Sequence, residues 1–127
     1  MSTTGKKILI VDDDSNITDM YSLQFVADGY VVEVASNVKE GRAKIASGLV
    51  PDAILLDIIM PGENGIELLE ELVKNPQLTK TKIIIFSNLD QRSDIDENIL
   101  KKIASYHLKV DMIPSDMSKE LAKLLNT

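Results

Sequence analysis

Short apolar and β-branched runs recur along the chain at residues 8–11, 30–34, 53–56, 83–86 and, more weakly, 106–110. The first, third and fourth carry no polar interruption, which is how strands covered on both faces read. Between the runs the apolar spacing becomes helical: Ile17, Met20 and Tyr21; Val38, Ala43 and Ile45; Ile66, Leu69, Leu72 and Val73; Ile95, Ile99 and Ile103; then Met117, Leu121, Leu124 and Leu125. The first two helical patterns are imperfect. Strands alternating with helices predict an α/β fold, a mainly parallel five-stranded sheet with helices on both faces. The punctuation agrees: Asp28-Gly29 ends the first helix, Asn64 caps the third with Glu67 three residues later, and Pro114-Ser115 precedes the last.

Composition narrows the class. A chain of 127 residues suits one domain, expected to span 1–127, and the 44% hydrophobic and 27% charged content is that of a soluble globular protein. No apolar stretch approaches the roughly 18 to 20 residues of a membrane span. The first seven residues run straight into strand-like sequence with no leader core, so export is not expected, and the last helical pattern stops almost at Thr127, as in a stand-alone domain or one cut from something longer. Cysteine is absent, which removes thiolate chemistry, disulfides and Cys-based zinc sites and is compatible with a reducing, cytoplasmic setting. A net charge of -6 argues against nucleic-acid or anionic-membrane binding. The lysines are dispersed, with local concentrations only at Lys6-Lys7, Lys80 and Lys82, and Lys101-Lys102.

The candidate chemistry lies where strands end. Asp12, Asp13 and Asp14 follow the first run and Asp57 follows the third. If those strands are parallel neighbours, their carboxylates meet at one edge of the sheet, where repulsion raises their pKa values unless a cation sits among them. That predicts a hard divalent metal site, with Asp14 serving instead as a helix cap. Ser87 and Lys109 stand at the ends of the fourth and fifth strands, and ligands of open parallel sheets bind outside such ends.

The ordered set of an apolar run ending in Val11-Asp12-Asp13-Asp14, an apolar run into Asp57 followed by Met60-Pro61 and Gly65, an apolar run into Phe86-Ser87, and Tyr106 three residues before Lys109 resembles the receiver domain of two-component response regulators over essentially the whole chain. The resemblance implies a flavodoxin-like, doubly wound sheet of order 2-1-3-4-5. It implies Mg²⁺-dependent transfer of a phosphoryl group from a phosphohistidine to Asp57. Asp13, Asp57 and the backbone carbonyl of Ile59 would hold the metal, with Asp12 acting more through water. Lys109 and Ser87 would contact the phosphoryl group, and Tyr106 would be the switch aromatic behind them. The partners implied are a histidine kinase or histidine phosphotransfer protein and an unknown downstream protein target. Such a domain assists its own phosphorylation and is not an enzyme in the usual sense.

Four positions depart from the family pattern. Val110 replaces the usual proline after the lysine, which should remove the cis bond found in relatives. Asn88 replaces a small residue. Ile59 and Leu89, two residues after Asp57 and Ser87, have no side-chain group to orient an attacking water, so a long-lived phosphorylated state is expected. A haloacid dehalogenase-type phosphohydrolase would need an acid/base Asp where Ile59 stands. A flavodoxin-like electron carrier would need a phosphate-cradling loop where the three aspartates stand. The remaining alternative is a degenerate receiver that binds proteins without phosphorylation. His107, the one histidine, is read as partly exposed or structurally hydrogen-bonded.

Overall fold

The computed structural model describes residues 4–127; the first three positions of the stretch read for a leader lie outside it. Five parallel strands form one sheet of order β2-β1-β3-β4-β5. They are β1 (Lys7–Val11), β2 (Val31–Ala35), β3 (Ala53–Leu56), β4 (Lys82–Ser87) and β5 (Ser105–Leu108). The helices are α1 (Ser15–Ala27), α2 (Val38–Ala46), α3 (Gly65–Lys74), α4 (Glu97–Leu100) and α5 (Pro114–Leu125). This is the expected flavodoxin-like arrangement.

Strand side chains alternate between two cores. Leu9, Val11, Ile54, Leu56, Ile83 and Ile85 pack with Val38 of α2, Leu68, Leu69 and Leu72 of α3, and Ile99 of α4. Ile8, Ile10, Leu55, Ile84 and Phe86 pack on the other side with Tyr21 and Phe25 of α1 and Met117 and Leu121 of α5. Burying each large aliphatic or aromatic side chain contributes about 1.5–3 kcal/mol before chain entropy is counted. The central strands are buried on both faces, which is why their sequence shows no polar alternation.

Several boundaries differ from the sequence reading. The fifth strand ends at Leu108, and Lys109–Asp111 form a short 3₁₀ turn, so Lys109 stands just past the strand with Val110 fully outward. The helix expected around Ile95, Ile99 and Ile103 is one turn, α4, preceded by a 3₁₀ turn at Arg92–Asp94. Asp90 and Asp96 supply local side-chain acceptors there, Asp90 for the Arg92 N–H and Asp96 for the Asn98 N–H at the start of α4, so polar turn chemistry displaces a longer helix. In α1 the buried stripe is Thr18, Tyr21 and Phe25, while Met20 is exposed. Pro114 is the first residue of α5, where its missing N–H costs no helical bond.

The caps hold. Asp14 accepts the Asn16 N–H at the start of α1, and Asn64 accepts the Glu67 N–H at the start of α3. Gly62 adopts φ +71°, a left-handed conformation, in the loop between β3 and α3. At Gly65 an added Cβ would lie 2.5 Å from the Cα of Ile58, so only glycine lets α3 begin against the backbone that follows Asp57.

Candidate functional site

Register brings the acidic residues together. Val11 of β1 pairs with Leu56 of β3, so Asp12 and Asp57 leave the sheet side by side. The ladder extends past the strands: Asp57 N–H donates to Val11 O at 2.9 Å, and Asp12 N–H donates to Ala35 O at 3.0 Å. One carboxylate oxygen each from Asp12, Asp13 and Asp57 lies within 4.8 Å of the others. Asp12 and Asp57 are buried and Asp13 is exposed to solvent. A hard, oxygen-preferring cation suits this donor set, because three convergent carboxylates supply charge and one side of the cluster remains open for water.

Lys109 reaches into the same cluster from beyond β5. Its Nζ lies 2.7 Å from Asp12 Oδ2 and 3.0 Å from Asp57 Oδ2, with only 8% of the side chain exposed. The opposite oxygens are also engaged. Asp12 Oδ1 accepts the Asp14 N–H at 2.9 Å, and Asp57 Oδ1 accepts the Ile59 N–H at 2.8 Å. Burial pushes both carboxyls above the usual aspartate range, and the hydrogen bonds from Lys109 and the backbone only partly offset it. Burial pulls the Lys109 ammonium down, but the hydrogen bonds and charges of Asp12 and Asp57 outweigh it and the net direction is up.

Ser87 ends β4 fully buried, and its Oγ accepts the Leu89 N–H at 3.4 Å. Ile59 is half-buried two residues after Asp57. Tyr106 bonds to the loop after β4 rather than to the cluster: its hydroxyl donates to Leu89 O at 2.7 Å and accepts the Gln91 N–H at 2.8 Å, with the Arg92 guanidinium 5.4 Å from the ring centre. Nothing in the sequence tells which backbone groups a tyrosine hydroxyl will meet, so this clamp is visible only in the structure. His107 sits on the other side of β5, where its Nε2 is 2.6 Å from Glu120 Oε2, the same oxygen that accepts the Ser105 hydroxyl. It is a structural tie between β5 and α5, as expected of a histidine outside the site.

The model of the response regulator receiver domain matches residues 8–121. The chain belongs to that family. Among curated relatives, this receiver is 38% identical over 116 residues to the nitrate/nitrite response regulator protein NarL of Escherichia coli K12, covering 90% of the chain and 52% of NarL. It is 38% identical over 90 residues to protein PilH of Pseudomonas aeruginosa, covering 69% of the chain and 72% of PilH. The chain thus spans about half the length of NarL. A CheY-like response regulator receiver domain protein from Methanospirillum hungatei superposes with a TM-score of 0.82 at 31% identity, covering 97% of this chain and 95% of that one. The response regulator TrrA of Thermotoga maritima, solved in complex with Mg(2+)-BeF, superposes with a TM-score of 0.78 at 31% identity over 94% of this chain and 99% of that one. Receivers are signalling domains of two-component systems; they work with histidine kinases or phosphotransfer proteins and bind Mg²⁺ at an acidic site. Among the described residues no helix is long and apolar enough to cross a membrane.

Proposed function

We propose that the chain acts as a single phosphoacceptor domain of a cytoplasmic two-component system, taking a phosphoryl group from a phosphohistidine onto Asp57. The observation that carries this reading is the convergence of Asp12, Asp13 and Asp57 with the Lys109 ammonium in one half-open cluster. A degenerate, phosphorylation-independent receiver has no need of that complete set.

In the reaction an Asp57 carboxylate oxygen forms the new O–P bond as the P–N bond to the donor imidazole breaks, and the imidazole leaves with the nitrogen electron pair. Carboxylates are weak nucleophiles, so the rate rests on in-line placement and on neutralising charge over the phosphoryl oxygens. Asp13, Asp57 and the carbonyl of Ile59 would hold Mg²⁺, which supplies part of that neutralisation when bound. Both Asp12 oxygens are already engaged, by Lys109 and by the Asp14 N–H, which favours contact with the metal through water. Lys109 lies at Asp57 Oδ2 and is placed to move onto the incoming phosphoryl group. Ser87 exchanges its weak bond from Leu89 N–H for a phosphoryl oxygen, which loosens the loop that Tyr106 clamps. The phosphorylated domain then presents an altered surface to a kinase or phosphotransfer protein and to a downstream target.

Incubation with acetyl phosphate or phosphoramidate and Mg²⁺ should raise the intact mass by about 80 Da, one phosphoryl group, and Asp57→Asn should abolish the gain. No gain, or a gain retained in Asp57→Asn, would overturn the assignment. Followed over time, the same assay should show slow decay, because Ile59 and the exposed Leu89 offer no group to orient water. Ile59→Asn with Leu89→Glu should shorten the lifetime about tenfold or more.

A further inference from the structure

At the foot of the sheet, opposite the acidic cluster, two lysine pairs that are distant in sequence come together. Lys80 and Lys82 lead into β4, Lys101 and Lys102 follow α4, and all four line one open cleft of about 370 Å³. No carboxylate lines it, although acidic residues outnumber Lys and Arg by 20 to 14 in the chain. All four lysines are exposed, and none enters an ion pair among the described residues. The cleft also has half-buried apolar side chains, Ile103 and Leu124, beneath the charges.

We propose that this cleft docks a short acidic segment of a partner protein, carboxylates on the lysines and an apolar side chain on Ile103 and Leu124. Charge complementarity carries the assignment, since unpaired like charges gathered around an apolar floor are neutralised best by an amphipathic anion. The lysines present separate, mobile point charges and no arginine fork, which suits spaced carboxylates better than one tightly held phosphate. A long nucleic acid would extend beyond the cleft into the field of a chain whose net charge is -6, whereas a short segment stays within about one Debye length, roughly 8 Å, of the lysines. The surface is remote from Asp57, so the proposal stands or falls apart from phosphoryl transfer.

The test is titration of the ¹⁵N-labelled full chain with a short peptide of glutamates and aspartates around one central leucine, read by amide shifts. We expect saturable shifts at residues 79–82 and 101–104, about tenfold weaker binding in Lys80→Gln with Lys102→Gln, and little change in the charge-matched control Lys6→Gln with Lys7→Gln. Replacing the peptide's leucine by glycine should also weaken binding. Equal loss in the control variant, shifts that never saturate, or tighter binding of tripolyphosphate or single-stranded DNA at the same residues would each overturn the proposal.

Discussion

Lys109 holds two buried carboxylates at once, and this sets the electrostatic character of the free domain. One ammonium does not fully offset the burial of both, so Asp12 and Asp57 keep folded-state pKa values above those of the unfolded chain. The sign follows. A raised carboxyl contributes stability that is present below its unfolded pKa, near the ordinary aspartate value, and lost as pH rises through the folded one. In chelator at pH 7, Asp12→Asn should therefore raise the melting temperature by roughly 2–5 °C, and thermal melts should show the gain shrinking towards pH 4. A loss of stability at pH 7 would mean that the Lys109 bond to Asp12 outweighs burial. The acidic residues were legible one by one, as carboxylates following apolar runs. The direct bond between Asp12 and Lys109 was not, because a lysine assigned to a phosphoryl group gives no sign of what it pairs with before that group arrives.

Strands and helices were legible to the extent that burial dictates composition. The runs at 8–11, 53–56 and 83–86 lie on central strands where both faces need apolar side chains, and all three fall within β1, β3 and β4. At the edge of the sheet β5 is only half-buried, so its run gave no clear end, and the reading carried the strand two residues too far through Val110. The helix around Ile99 was overextended for a related reason: its apolar spacing reports which side chains are buried, not whether the backbone between them is helical. The segment between β3 and α3 was easier, because Met60-Pro61 and Gly65 mark a loop with a steric constraint. Gly65→Ala should push α3 away from the Ile58 backbone and cost about 1–3 kcal/mol, measurable by urea denaturation. A cost below about 0.5 kcal/mol would show that the close approach is not needed.

At the scale of the molecule, strand order produces the site. Two acidic segments 45 residues apart, at Asp12 and Asp57, become neighbours because β1 lies between β2 and β3 with Val11 opposite Leu56. A one-residue slip would separate the carboxylates and send the strand side chains to the wrong faces. The same topology gathers the lysine pairs at the opposite end, giving an acidic upper edge and a basic foot on a chain whose linear sequence shows those lysines only as separate small pairs. The strand order was inferable from alternating elements and the family pattern, whereas the residue-by-residue register is seen only in the structure. The lysine cleft was not inferable either, because it depends on how the turns before β4 and after α4 pack. The acidic edge should hold a divalent cation, which isothermal titration of the free chain with Mg²⁺ at neutral pH would detect. One saturable site is predicted, weakened at least about tenfold by Asp13→Asn; no saturable binding, or binding unchanged in both Asp13→Asn and Asp57→Asn, would contradict it.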